Sequence, residues 1–390
     1  MSLVESAMFY LLPCVIYDRG QPALHDNAVD INGLKVGDRY PTRVMGVINL
    51  SPESFYKDSV HDSAEEVVDT VIQMVNNGAD LIDIGGASSA PREVYGTEGV
   101  DVETELERVK AVLQHLDGRI RVPISVDTTS SRVAEMALKL GADAVNDTTG
   151  FQGDPEMASV VSEYSAPAIL MAHCSPPCNA VSASIGSLMR SLEIAEGENV
   201  DYDHIILDPG IGFGKPAEVD LRLLRSLNRF RVLGRPLLVG VSRKSFVGEV
   251  LNQEHPEDRL IGSLAATAIA VSKGVSVVRT HDVRESWFLL KMSDEIRGEV
   301  EVHSGRAALV DVDDELGIEL LLNRVGVREG IRRALAKKGI MLTILLRDIP
   351  ASGALILKQE MLALGGDAAY HHDTIDFERK TTDVLLMGTT

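Results

Sequence analysis

From residue 43 to residue 280 the hydrophobic and polar positions fall into a repeating unit. A short β-branched apolar run comes first, then a polar or glycine-rich stretch, then apolar residues at three- and four-residue steps. The apolar runs are RVMGVI (43–48), ADLIDI (79–84), VPISV (122–126), ADAVN (142–146), APAILM (166–171), HIILD (204–208), RPLLVGV (235–241) and VSVVRT (275–280). Between two of them, DVETELERVKAVLQHL (101–116) puts Val102, Leu106, Val109, Leu113 and Leu116 on one helical face. DSAEEVVDTVIQMVNNG (62–78) opens with a capping pattern and closes on a glycine, as helix ends prefer. Strands alternating with helices predict parallel pairing. Eight repeats predict an α/β fold, a (β/α)8 TIM barrel. The competing open Rossmann-type sheet lacks a G-x-G-x-x-G after its first strand.

The pattern divides the chain into three parts. Residues 1–42 read as an extension packing on the barrel, 43–298 as the barrel, and 299–390 as a small α/β module. In the module an acidic patch, DVDDE, precedes a basic amphipathic helix, VREGIRRALAKKG. A strand (IMLTILLRDIP), a helix (SGALILKQEMLALGG) and a second strand (TTDVLLMGTT) follow. His371-His372 with Asp373 and Asp376 read as an exposed polar turn in preference to a metal site.

In such barrels the chemistry lies on the loops after the C-terminal strand ends. Those positions carry Asn49, Asp83, Asp127, Asn146-Asp147, His173, Asp208, Ser242-Arg243-Lys244, Arg279 and His281. Loops are polar in any protein, but carboxylates and amides inside strand ends such as ISVD, AVND and IILD would be costly without partners. The set therefore reads as a site. Its carboxylates and amides suit a flat nitrogen heterocycle with a donating edge. Its cations, with Arg243 and Lys244 adjacent in GVSRKSF, suit a phosphate or diphosphate.

Charge narrows the partners further. The formal net charge of -20 argues against non-specific nucleic-acid or anionic-membrane binding, without excluding a local basic pocket. Cys14, Cys174 and Cys178 are too few and too odd in number for a disulfide framework and suit a reducing, cytoplasmic setting. CSPPC beside His173 lacks a second cysteine pair to complete a zinc site. The apolar run AMFYLLPCVIY has no basic lead and no cleavage site, so it does not read as a signal peptide.

MGVINLSPESFYKDS, DLIDIGGASSAP, PISVDTTSSRVAEMALKLGADAVNDTTG, ILDPGIGFGK, VGVSRKSF and VRTHDVRE resemble, in order and spacing, the motifs of the dihydropteroate synthase family, over about residues 43–290. NLSPESFYK and the lead-in GLKVGDRYP look more like the archaeal branch than the common bacterial one. LILKQEMLALGGDAA in the tail looks like a segment attached to some bacterial members.

The resemblance implies that 6-hydroxymethyl-dihydropterin diphosphate is joined to p-aminobenzoate with release of diphosphate. It gives Asp127, Asn146, Asp208, Phe213 and Lys244 to the pterin, with Asp127, Asp208 and Lys244 carrying the chemistry. It gives Asn49, Ser89, Arg279 and His281 to the diphosphate, with Mg2+ at Asn49. Ser245, Phe213 and Arg92 fall on the amine side, loops 50–60 and 87–98 close over the substrates, and a homodimer is expected. One departure stands out: GGASSAP has Ala90 where the family has arginine, with Arg92 two residues on. That keeps a ribosylated aminobenzene phosphate open as the amine. Methyl transfer from a methylated folate to a corrinoid protein and a non-catalytic pterin-binding role are the competing functions. Lys244, Arg279 and His281, which serve a diphosphate, set the chain apart from the methyl-transfer relatives.

Overall fold

The computed structural model describes residues 28–50, 64–87, 100–173, 181–297, 327–376 and 378–389, with Glu315, Ile318, Glu319 and Leu322. A hairpin comes first, β1 (Ala28–Ile31) and β2 (Leu34–Gly37). The repeating units follow: β3 (Arg43–Asn49), α1 (Ala64–Asn76), β4 (Leu81–Gly85), α2 (Val102–Leu116), β5 (Ile124–Asp127), α3 (Ser131–Lys139), β6 (Ala144–Asp147) and α4 (Met157–Glu163). Then come β7 (Ala168–Met171), α5 (Val181–Gly197), β8 (Ile205–Asp208), α6 (Ala217–Arg225), β9 (Leu238–Val239), α7 (Ser245–Leu251), α8 (Leu260–Ser272), β10 (Val277–Thr280) and α9 (Val283–Arg297). Every apolar run read from the pattern overlaps one of β3 to β10.

The eight strands pair in parallel in the order β8-β7-β6-β5-β4-β3-β10-β9. A parallel bridge between Leu207 and Leu237 joins the two ends, closing the barrel. The two-residue period of a strand then sorts side chains inward or outward. Outward residues such as Ile82, Ile84, Val126, Val145, Leu207 and Val278 meet the helices in one continuous core. Inward residues Met45, Leu81, Ala144, Ile169, Ile206, Leu238 and Val277 form a second cluster with Val29, Ile31 and Val36 of the hairpin. Burial of each such valine, leucine, isoleucine or methionine side chain contributes about 1.5–3 kcal/mol.

The hairpin therefore plugs the N-terminal end of the barrel. Arg235, fully buried, holds it there: its guanidinium pairs with Asp203 at 2.9 Å and donates to the carbonyls of Ile205 (3.1 Å) and Ala28 (3.4 Å). With that end filled, the open mouth is the C-terminal one.

The tail contains α10 (Glu329–Ala336), β11 (Met341–Pro350), α11 (Ala351–Ala363), β12 (Asp367–Tyr370) and β13 (Thr381–Thr389). Its sheet runs β11-β13-β12, both neighbours antiparallel to β13, over a small core of Ala354, Ala368 and Val384. The sequence pattern finds β11, α11 and β13 but not β12, whose DAAY has too few branched residues to read as a strand. No helix among the described residues is long and apolar enough to cross a membrane.

Candidate active site

Inward positions near the strands' C-terminal ends change from apolar to polar. Two residues after Leu81, Ala144, Ile206 and Val277, and so on the same face, stand Asp83, Asn146, Asp208 and Arg279. Asp127 follows buried Ser125 in the same way, and parallel register sets it beside Asn146. Strand geometry alone thus gathers three carboxylates, an amide and a guanidinium in the barrel mouth.

Arg279 binds this group together. Its Nε donates to Oδ2 of Asp83 at 2.6 Å and its Nη2 to Oδ2 of Asp127 at 2.8 Å. Asn146 Nδ2 donates to the same Asp83 oxygen at 2.9 Å. Burial works against the charge on Arg279, but Asp83 and Asp127 outweigh it and hold the guanidinium above its ordinary range. Asp83 is fully buried and serves as the hub of this network. Sequence reasoning placed it at a strand end but gave it no role; the signal available was its two-residue spacing from Leu81.

The loop after β8 presents Asp208 and Lys215. In PGIGFGK, Gly210, Gly212 and Gly214 have φ of 74°, 76° and 68°, a left-handed conformation that costs glycine little. The resulting turn aims Gly210 N at Oδ1 of Asp208 (2.7 Å) and lets Lys215 Nζ donate back to Gly210 O (2.6 Å). Asp220, at the start of α6, accepts from Gly212 N at 2.8 Å. Burial raises the Asp208 and Asp220 carboxyls, opposed by the cations of Lys244 and Lys215 beside them. Burial likewise lowers Lys215. Asp220 and Lys215 belong to the site and were missed in the sequence.

Arg243 and Lys244 go separate ways. Arg243 sits at φ 55°, which turns the chain sharply between the two side chains. Its guanidinium grips Asp282 through Nη2 (2.6 Å) and Nε (3.0 Å), and its Nη1 donates to the carbonyls of Pro256 (2.9 Å) and Glu257 (2.8 Å). Arg243 is therefore an internal anchor of the α7–α8 connection, which corrects its reading as a phosphate-facing cation. Lys244 points into the mouth. Its Nζ donates to Ile211 O and lies 4.0 Å from the centroid of the Phe213 ring, a cation–π contact. Burial lowers the lysine to about 8, opposed by Asp208 and Asp220.

His281 lies beside this group, its Nδ1 3.2 Å from Ser242 Oγ. Burial, with Arg279, Arg243 and Lys244 nearby, pushes it down to about 3, so it is a neutral hydrogen-bonding group and not a cation. Ser245 opens α7 directly after Lys244. Asn49 ends β3 across Gly85 from Asp127: a Cβ on Gly85 would meet Asp127 Cβ at 3.6 Å and Asn49 Oδ1 at 3.7 Å. Asp147, next to inward Asn146 and so on the opposite face of β6, is structural, accepting from Thr149 N (2.8 Å) and Phe151 N (2.7 Å) to shape the turn after the strand. His173 is exposed. Ser89, Ala90, Arg92 and most of loops 50–60 and 87–98 lie outside the described residues, as do Cys14, Cys174 and Cys178.

In chemical terms the mouth holds acceptors for a ring's N–H groups next to cations for an anion. Residues 45–281 match the family model described as pterin binding enzyme. The chain is 39% identical over 267 residues to the dihydropteroate synthase of Bacillus subtilis (strain 168), covering 68% of this chain and 92% of that protein. It is 38% identical over 265 residues to a probable bifunctional folylpolyglutamate synthase/dihydropteroate synthase of Halobacterium salinarum, covering 66% of this chain and 32% of that one. Bacterial and archaeal relatives are thus similar to nearly the same degree. Among solved structures, Xanthomonas albilineans dihydropteroate synthase with 4-aminobenzoic acid superposes with a TM-score of 0.63 at 33% identity, covering 70% of this chain and 99% of that one.

Proposed function

The chain belongs to the pterin-binding enzyme family, and we propose that it is a dihydropteroate synthase, joining 6-hydroxymethyl-7,8-dihydropterin diphosphate to p-aminobenzoate in folate biosynthesis. One observation carries the reading: Asp127, Asn146 and Asp208 share a single barrel mouth with Arg279 and Lys244. The first three accept or complement the donating edge of a pterin, and the cations complement its diphosphate.

The reaction breaks the bond between the pterin methylene carbon and the diphosphate oxygen, and the electron pair leaves with the oxygen. Positive charge develops on the methylene and spreads into the ring. Asp127 and Asp208 stabilise it as fixed anions, with little reorganisation in a buried site. Arg279 and Lys244 stabilise the departing diphosphate, and neutral His281 adds hydrogen bonds. The amine nitrogen then bonds to the methylene and its proton leaves to solvent. No side-chain nucleophile is required. Phe213 and Ser245, flanking Lys244, border the amine end. Ser89 and Arg92 are assigned to the diphosphate and the amine on the resemblance of their motif.

Mg2+ fits this mouth. Asn49 offers an amide oxygen, a hard ligand, beside the acidic group and the position assigned to the diphosphate. Asn49, with substrate oxygens, would hold the ion, which would supply positive charge to the leaving group.

We also assign a homodimer interface to α8 and α9. Ile261 and Ile269 on α8 are 74% and 52% exposed, and Phe288, Met292 and Ile296 on α9 are 58%, 62% and 74% exposed. Each set recurs at four- or eight-residue steps, making an apolar stripe on two adjacent helices. The sparse cysteines support a cytoplasmic setting for the enzyme.

Purified protein mixed with the pterin diphosphate, p-aminobenzoate and Mg2+ should yield dihydropteroate by mass and one diphosphate per turnover. A matched reaction with the ribosylated aminobenzene phosphate should be at least tenfold slower; exclusive use of that amine would assign the chain to the other substrate.

A further inference from the structure

Asp83 has no place in the reading just given, yet that reading's two halves meet on it. The carboxylate is fully buried. One oxygen, Oδ2, takes both Arg279 Nε (2.6 Å) and Asn146 Nδ2 (2.9 Å). The other, Oδ1, is buried with no hydrogen-bond partner among the described residues. Burying a carboxylate this way is costly, so its position against these two side chains is tightly constrained.

The second arm of Arg279 donates to Asp127 Oδ2 at 2.8 Å. The guanidinium assigned to the diphosphate thus occupies the carboxylate assigned to the pterin edge. Arg279 is 18% exposed at its side chain while Asp83 and Asp127 are 0% and 3%, so of the three the arginine is the one that faces the open mouth. We propose that Asp83 is a positioning residue on which Arg279 pivots, Nη2 leaving Asp127 for the diphosphate and thereby freeing Asp127 for the pterin ring. The Nε–Asp83 bond persists throughout, and Asn146, held by the same oxygen, stays beside the ring.

This inference rests on the proposed site and adds one consequence to it. Ring and anion bind with positive coupling, and by linkage each tightens the other by the same factor. A static Arg279–Asp127 pair would give no such coupling.

The test titrates the protein with 6-hydroxymethylpterin, with and without saturating Mg2+ and inorganic pyrophosphate, and in reverse. Wild type should bind the pterin about tenfold more tightly with pyrophosphate present, inside the usual five- to 150-fold range for coupled sites. Asp83→Asn should still bind both ligands, with the coupling reduced to about twofold or less. A merely structural loss would weaken both affinities and leave the coupling factor unchanged. If Asp83→Asn does not fold, Arg279→Lys, which keeps the charge but lacks the two-armed fork, should abolish the coupling instead. Wild-type protein that binds each ligand without coupling, or a folded Asp83→Asn variant that keeps wild-type coupling, would overturn the inference. Failure of wild type to bind the pterin at all would instead overturn the site reading on which it rests.

Discussion

Gly212 lies directly under the stem of Lys244: a Cβ placed on the glycine would stand 2.1 Å from Lys244 Cδ. Its φ of 76° is also one that side chains rarely adopt. Gly212→Ala should therefore displace Lys244 as well as strain the loop, the strain alone costing on the order of 1–3 kcal/mol. A misplacement of about 1 Å at a reacting group lowers turnover by about 10²-fold. Steady-state kinetics on the folded variant should show a loss of that order; near-wild-type kcat would show that the lysine is not held by this contact.

Burial lowers Lys244 to about 8. Its ammonium form is present below that value and lost as pH rises through it. For the free enzyme, kcat/KM should accordingly fall on the alkaline side with a midpoint near 8. Lys244→Arg stays charged and should move that limb above pH 10, whatever its absolute rate. His281, pushed down to about 3, is neutral throughout and should contribute no limb between pH 5 and 7. An unchanged alkaline limb in Lys244→Arg would assign that ionisation to another group.

Arg243 tests the division of labour between the adjacent cations. Its side chain and that of Asp282 are 9% and 12% exposed and paired at 2.6 Å. Removing one partner of such a pair costs about 3–5 kcal/mol. Arg243→Met should lower stability to chemical denaturation by that amount. A loss below about 0.5 kcal/mol would mean that the anchor is dispensable.

The apolar stripe on α8 and α9 predicts its own disruption. Phe288→Asp together with Met292→Asp should convert a dimer to a folded monomer in sedimentation experiments. A wild-type monomer, or a dimer indifferent to both changes, would place the interface elsewhere.

Hydrophobic periodicity made the barrel legible because each strand both buries an outward face and fills the interior. Asp127, Asn146, Asp208 and Arg279 were readable as a set because each lies at the C-terminal end of a predicted strand, and the two-residue period then puts them on one face. Asp83 obeys the period equally, but its importance comes from two partners 63 and 196 residues away, which no local pattern reveals. Arg243 was misread because adjacency in sequence says nothing about direction: its left-handed backbone sends it to Asp282 and its neighbour to Phe213. His281 looked cationic by residue type, and only burial among three cations makes it neutral. Strand β12 stayed hidden because pairing with β13, not composition, makes DAAY a strand.

The division of the mouth into ring-binding acids and anion-binding cations is tested most directly by equilibrium titration of the Asp208→Asn variant with two separate ligands. A charge-assisted hydrogen bond is worth about 1.5–3 kcal/mol, so affinity for 6-hydroxymethylpterin should drop by about 10- to 150-fold. Affinity for inorganic pyrophosphate with Mg2+, measured without pterin, should stay within about threefold of wild type and certify that the variant is folded. Unaltered pterin affinity, or an equal loss for both ligands, would contradict the assignment of Asp208 to the ring.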